Sequence, residues 1–395
     1  MVGFDFSKFK TNKRQKITAI IYVVFMVALL MSIVLCGMYK GNLQEISNNN
    51  LMQNNSNLLQ SQIDKTQSEP TVNIGAKSSF AVMEGGRNIL LHSQNATTRL
   101  PMASTTKIMT AYIACTSGKL NDMVTVPKAA VGVEGSSIYL KEGEKYKLID
   151  LVYGLMLRSG NDAAETIALY LGGSIENFAK MMNDTAKLMG LKQTNFVNPH
   201  GLHDDNHFTS AYDLAYITCE ALKNQDFANI CSAKSHKFQM STGEHKCYVN
   251  KNKLLNLYDD CIGVKTGYTK KAGRCLVSAA KRNGVTIVSV VLNQYDMWNL
   301  SMANLNKGFE QTQGVLLAKS GEVFAKIKTP NGECLNLGFI NDIYYSALKN
   351  EKLNISYDIT INKNLPNSVK NGEIVGEIKF FNDKHLLFTE KIYTI

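Results

Sequence analysis

Ser104-Thr105-Thr106-Lys107, Ser159-Gly160-Asn161 and Lys265-Thr266-Gly267 stand along the chain in that order, the second starting 55 positions after the first and the third 106 positions after the second. Each string alone is weak: a serine three before a lysine is as readily a helix N-cap as a nucleophile. Together they supply a nucleophile, a base, a proton relay, an amide clamp and a carboxylate anchor. That is the equipment for acyl transfer to a serine without a histidine.

The chemistry asks for these residue types. A serine hydroxyl is a poor nucleophile until something takes its proton, and three residues along a helix is about one turn, so Lys107 can reach back to Ser104. A lysine accepts a proton only as the neutral amine, which burial and a second cation both favour; Lys265 is the candidate cation. Ser159 is placed to hand a proton to a leaving amine, and the Asn161 amide to hold a substrate peptide group. Lys265 and Thr266 suit a substrate carboxylate, on an edge strand where Gly267 lets a substrate backbone come close.

Outward from these strings the chain reads as mixed helix and strand. Phe80–Met83 and Asn88–His92 form a hairpin turning at Gly85-Gly86, and Ser104–Cys115 a helix stopping at Gly118. Leu148–Leu157 and Asp162–Leu171 read as helices, the second closed by Gly172-Gly173. Arg274–Ala280 and Thr286–Leu292 are β-branched runs either side of Lys281-Arg282-Asn283-Gly284, a strong hairpin signal. Strands at both ends of the region with helices between predict an α/β (α+β) domain: an antiparallel sheet flanked by helices, with a helical subdomain. After residue 315, strand-like runs at Val323–Ile327, Leu353–Ile361, Glu373–Phe380 and Phe388–Ile395 predict a small β domain.

These features resemble the D-alanyl-D-alanine carboxypeptidases of the low-molecular-mass penicillin-binding proteins, which share a fold with class A β-lactamases. Beyond the three motifs, the resemblance is carried by Leu100-Pro101-Met102-Ala103 before Ser104, Asn161-Asp162-Ala163-Ala164, Asn198-Pro199-His200-Gly201-Leu202 and Gly267-Tyr268-Thr269-Lys270-Lys271-Ala272-Gly273. It covers residues 72–312 well and runs more loosely to the end, where Gly372-Glu373-Ile374-Val375-Gly376 fits the family's β-rich domain. The resemblance implies that Ser104 is acylated, Lys107 is its base, Ser159 and Asn161 line the cleft, and Lys265 and Thr266 hold the terminal carboxylate. It implies an oxyanion hole from the Ser104 and Tyr268 N–H groups, each donor contributing about 3–4 kcal/mol to the transition state by analogy with other hydrolases. The implied substrate is a peptidoglycan stem peptide ending in D-Ala-D-Ala, with β-lactams as covalent inhibitors and no cofactor, metal or nucleic acid. Phe208-Thr209-Ser210-Ala211 departs from the family's usual Tyr-Ser-Thr-Ala, in what is expected to be a supporting loop.

The 395 residues, 45% hydrophobic, allow two folded domains beyond the N-terminal segments. Of the net charge of +10, residues 1–16 hold about +4, and Ile17 to Met38 then runs 22 residues without a charge. At ~1.5 Å per residue that crosses a ~30 Å hydrocarbon core, and the basic flank places everything after Lys40 outside the cell. The run exceeds an ordinary signal h-region, so a retained signal-anchor is expected, with a cleaved signal as the alternative. Many relatives end in an amphipathic membrane helix and none follows Ile395; the N-terminal segment is expected to take that role. Residues 39–71, rich in Asn, Ser and Gln, read as a linker.

Seven of the eight cysteines follow residue 40, an odd number without a CxxC pair, so neither a disulfide framework nor a zinc site is indicated. His200, His203, Asp204, Asp205 and His207 form a cluster that a metal site would also use; the resemblance assigns it to a loop. A class A-like β-lactamase would use the same three motifs but needs a glutamate for deacylation, and Thr194–His200 holds no acidic residue. The remaining alternative is a non-catalytic wall-binding scaffold.

Overall fold

The computed structural model describes residues 78–395 except 241, 330, 363–364 and 366–368. The expected basic tail (1–16), membrane segment (17–38) and linker (39–71) lie outside the described residues, with the first residues of the expected catalytic region. Among the described residues no helix is long and apolar enough to cross a membrane.

The β-branched run Val285–Leu292 (β9) forms the middle of a five-stranded antiparallel sheet. Beside it lie Ser79–Glu84 (β1) and then Ile89–Gln94 (β2) on one flank. Gly273–Arg282 (β8) and the edge strand Cys261–Thr269 (β7) lie on the other. Asn283 and Gly284 join β8 to β9 with φ of +47° and +77°. Both left-handed positions suit the right-handed twist of the paired strands, which is why Asn-Gly stands there.

Side chains alternate across the sheet, and both faces are buried. Phe80, Val82, Leu276, Ile287 and Val291 pack against the helix Met297–Gln311 through Met297, Leu300 and Leu305. Ala81, Met83, Val277, Val288 and Val290 pack instead against the helices Lys107–Thr116 and Ala211–Leu222. Each large aliphatic side chain fully buried this way contributes roughly 1.5–3 kcal/mol. The helices Leu148–Tyr153, Asn161–Gly172 and Ile175–Leu188 extend the second layer into a helical subdomain.

The structure differs from the expected single helix over 104–115. Ala103–Thr106 is a 3-10 turn, and the α-helix begins only at Lys107. Ala103 takes φ +49°, so the chain enters the turn from a left-handed residue that cannot start a regular helix.

Residues after 312 form a separate β core of Leu335, Leu337, Val375, Ile378, Phe380 and Ile392. A five-stranded sheet runs in the order Ala325–Lys328 (β11), Cys334–Gly338 (β12), His385–Thr394 (β16), Ile374–Asn382 (β15) and Ile355–Ile361 (β14). Thr312–Ala318 (β10) pairs with Ile343–Leu348 (β13). Three of these strands, β10, β12 and β13, were not anticipated; none has the continuous β-branched run that marks β9. Arg87, at the β1–β2 turn, ties the two parts together with hydrogen bonds to both Glu351 oxygens at 3.0 and 2.9 Å and to the Tyr345 hydroxyl at 2.7 Å.

Candidate active site

Ser104 lies on the 3-10 turn, where residues three apart nearly eclipse, so Lys107 at the head of the helix stands directly beneath it. The turn is clamped from two sides. A Cβ on Gly267 of β7 would come within 3.1 Å of Met102 O and Ser104 N, so the edge strand passes directly over Ser104. A Cβ on Gly201, at φ +90°, would fall 1.9 Å from Ala103 O. Only glycine fits there.

The Asn198–Leu202 loop is bound to the helix Lys107–Thr116 by its carbonyls. Thr110 Oγ1 donates to Pro199 O at 2.6 Å and Lys107 Nζ to His200 O at 2.6 Å. The Asn198 carboxamide shapes the loop, accepting from Gly201 N at 2.7 Å and donating to Leu202 O at 2.9 Å. His207 supports the turn from below: its Nδ1 accepts from Val197 N at 3.1 Å, which leaves Nε2–H to meet Thr106 Oγ1 at 2.8 Å, and Thr106 donates to Ala103 O at 2.8 Å. Burial pushes His207 down to about 3, so it remains neutral and this chain of bonds keeps its direction.

Lys107 is fully buried, and its amine lies 2.7 Å from Asn161 Oδ1, 2.6 Å from His200 O and 3.1 Å from Ser104 Oγ. Burial, and after it the charge on Lys265, hold its pKa well below the ordinary lysine range; Asp162 opposes this and Lys251 reinforces it. A neutral amine has two protons and one lone pair. With Asn161 Oδ1 and His200 O accepting both protons, the lone pair is left for the Ser104 hydroxyl.

The helix Leu148–Tyr153 runs into a π turn, Gly154–Arg158, and ends on Ser159 at φ +65°. This left-handed residue turns the chain so that Asn161 begins the next helix beneath Lys107. The Asn161 carboxamide is engaged at both ends, since Nδ2 donates to Glu134 O while Oδ1 accepts from Lys107. Asp162 beside it accepts from Ser137 Oγ at 2.6 Å and from the backbone N–H groups of Ile138, Leu140 and Ala163, fixing the loop that forms one wall.

Ser104, Ser159, Thr266, Gly267 and Tyr268 open on one cleft of about 430 Å³, whose lining also includes Ser136, Lys251, Arg274, Met297 and Trp298. Lys107, Asn161 and Lys265 are buried behind this wall. Lys265 Nζ donates to Thr266 O at 3.0 Å, and burial, with Lys251 as the next cause, lowers its pKa to about 7. A larger cavity, about 580 Å³, lies at the junction with the C-terminal part, around Arg87 and Glu351, and holds none of the motif residues.

Sequence reasoning missed Lys251, Arg274 and Trp298. The register that sets Arg274 opposite Tyr268 was readable from the hairpin flanking Thr269–Gly273, whereas nothing local marks Lys251. The histidine–aspartate cluster divides among separate partners: His200 Nε2 meets Glu165 at 3.1 Å, His203 meets Asp205 at 3.3 Å, and His207 meets Thr106. Among the described residues no group of three or more His, Cys, Asp or Glu could hold a metal ion. The Phe208-Thr209-Ser210-Ala211 departure lies in a supporting segment, where Ser210 caps the helix Ala211–Leu222 by accepting from Asp213 N at 3.1 Å. All seven described cysteines are free thiols.

Comparison with known proteins shows the family. Residues 63–296 match the family described as D-alanyl-D-alanine carboxypeptidase, and residues 313–395 the C-terminal domain of penicillin-binding protein 5. The chain is 31% identical over 320 residues to D-alanyl-D-alanine carboxypeptidase DacF of Bacillus subtilis, covering 78% of this chain and 82% of that protein. It is 32% identical over 340 residues to DacC of Escherichia coli, covering 80% and 82%. The crystal structure of penicillin-binding protein 5 from Haemophilus influenzae superposes with a TM-score of 0.57 at 26% identity, covering 83% of this chain and 98% of that one. The Streptomyces K15 DD-transpeptidase does so with a TM-score of 0.57 at 32% identity, covering 62% and 99%. A serine and a lysine amine in bonding reach beneath a Lys-Thr-Gly edge strand, matched along both halves of the described chain, place this protein in the D-alanyl-D-alanine carboxypeptidase family.

Proposed function

We propose that the chain removes the terminal D-alanine from peptidoglycan stem pentapeptides through an acyl-enzyme on Ser104. The observation that carries this reading is the buried Lys107 amine, within hydrogen-bond reach of Asn161 Oδ1, His200 O and Ser104 Oγ at 2.7, 2.6 and 3.1 Å; in its neutral form it would give its two protons to the first two and turn its lone pair to the hydroxyl. The Ser104 hydroxyl proton passes to Lys107 Nζ as Oγ bonds to the carbonyl carbon of the penultimate D-alanine. The developing oxyanion takes hydrogen bonds from the Ser104 and Tyr268 N–H groups. The C–N bond breaks as the proton taken by Lys107 passes through Ser159 to the departing amine, so that free D-alanine leaves and Lys107 is neutral again. Water then attacks the ester, its proton passing to Lys107 and on to Ser104 Oγ, and the stem is released one residue shorter. Asn161 acts here by holding Lys107; Thr266 receives the terminal carboxylate with the Lys265 amine buried behind it, and Gly267 admits the substrate backbone.

A β-lactam would enter the same path and remain as an adduct on Ser104. The β-lactamase alternative needs a carboxylate to activate the deacylating water, and the two on the helix that begins at Asn161 are occupied, Asp162 by the 137–140 loop and Glu165 by His200. We further propose residues 72–312 as the catalytic domain, 315–395 as a β-rich domain, 17–38 as a membrane anchor and an extracytoplasmic location, on the charge and hydropathy pattern of the N-terminus. Mass spectrometry of a synthetic pentapeptide incubated with the full chain tests the activity. Loss of one alanine, abolished by Ser104→Ala and Lys107→Ala, supports it; loss that survives Ser104→Ala refutes the mechanism, and an inert wild type leaves the scaffold reading.

A further inference from the structure

We propose that Arg274 is a specificity-determining residue, holding the substrate's terminal carboxylate together with Thr266. The proposal rests on the carboxypeptidase reading and adds to it a cation that reads the free C-terminus, in a cleft that Lys251 also lines.

The register of the edge hairpin makes the case. Thr266 pairs with Leu276 and Tyr268 with Arg274, so Arg274 is two residues from Thr266's partner and on the same face of the sheet. Such diagonal neighbours lie about 7–8 Å apart, a gap that a long side chain spans. Both residues line the cleft that contains Ser104. The guanidinium is uncommitted: it lies over the Tyr295 ring, 4.7 Å from the centroid, and among the described residues it forms no ion pair with a carboxylate. Its backbone is fixed, the Arg274 carbonyl accepting from Gln294 N at 3.0 Å.

Lys265 alone is poorly suited to this task. Its amine is buried and spends a proton on Thr266 O, so it sits behind the strand rather than in the cleft. Arginine offers a rigid fork that matches both carboxylate oxygens and stays charged across the working pH range. No acidic side chain lines the cleft to compete for it. The aromatic face of Tyr295 restricts where the guanidinium can go, which lowers the cost of ordering it when substrate arrives.

The test uses the full chain and two substrates: an N-acylated tripeptide ending in D-Ala-D-Ala and the same peptide as its C-terminal carboxamide. Wild type should prefer the acid. Arg274→Gln should lower kcat/KM for the acid by roughly 10- to 100-fold, mostly through KM, the range of a charged hydrogen bond. The amide should change less than about threefold, and Arg274→Lys should recover part of the preference, since lysine restores charge without the fork. Equal losses on acid and amide would mean a structural role and overturn the proposal, as would a variant that keeps the wild-type preference or a wild type that has none. A wild type that releases nothing from either peptide refutes the carboxypeptidase reading itself and the proposal with it, an outcome distinct from all the others.

Discussion

Replacing Lys265 by methionine should stabilise the protein while disabling it. The Lys265 amine is buried without a carboxylate partner, and its titration is lowered from 10.5 to about 7. Below pH 7 the folded state carries that charge against its environment, at about 1.36 kcal/mol per unit of lowering, or on the order of 5 kcal/mol in all. The sign follows from proton counts. Between pH 7 and 10.5 the unfolded chain holds a proton that the folded chain has released, so stability rises with pH through that window. The penalty is therefore full below pH 7 and gone above 10.5. Methionine keeps most of the stem's volume and carries no charge, so Lys265→Met should gain up to about 5 kcal/mol over wild type at pH 6, less at pH 8, and almost nothing at pH 10.5. Urea unfolding followed by the fluorescence of Trp298, the chain's one tryptophan, measures this within the catalytic part. A difference that is flat with pH, or a variant less stable than wild type throughout, would refute the reasoning.

The same substitution reads the coupling to Lys107. The Lys265 charge is the second cause of Lys107's lowered pKa, after burial. Removing it should raise the Lys107 pKa, and a base that must be neutral would then work only at higher pH. The acidic limb of the pH profile for Ser104 acylation should accordingly move upward in Lys265→Met, and a limb that stays in place would mean burial alone neutralises the base.

Gly201→Ala should lose both stability and acylation, by at least about 2 kcal/mol for a left-handed alanine in a backbone clash, measured by thermal unfolding and penicillin labelling; the 1.9 Å approach to Ala103 O leaves no room for a methyl without moving Ser104. Asn161→Leu removes an acceptor that fixes Lys107, so acylation should fall by roughly 10²-fold or more while the apparent affinity for substrate changes little, a split read from kcat against KM. His207, held at about 3, binds no proton in the folded state while the unfolded chain takes one below about 6.5, so stability should fall from pH 6.5 toward pH 3; His207→Gln should flatten that slope in acid unfolding.

The parts legible in the sequence were those whose chemistry is local. The β8–β9 hairpin was visible because Asn283-Gly284 supplies two left-handed positions between β-branched strands, and Ser104 and Lys107 because i,i+3 spacing alone brings them together. The 3-10 turn was not visible, because its cause is tertiary: β7 above and Gly201 below force Ala103 left-handed. Burial and the Lys265 charge, the causes the sequence suggests for a lowered Lys107 pKa, are the leading ones in the structure, but the surroundings of the amine were not legible. Burial is a property of the whole cluster around it, and one of the two acceptors that take its protons is a backbone carbonyl, His200 O, with no side-chain signature. The other is Asn161, which its motif marks as an amide clamp for the substrate and whose Oδ1 in the structure accepts from Lys107 while Nδ2 donates to Glu134 O. In the fold Ser159 ends one helix in the left-handed region and Asn161 starts the next, so two residues apart they serve opposite sides of the same wall. The short motif is thus the sequence trace of a corner: one end presents a hydroxyl to the cleft and the other an amide to the lysine behind it. Lengthening that corner by one residue would separate the two roles even with every motif residue kept.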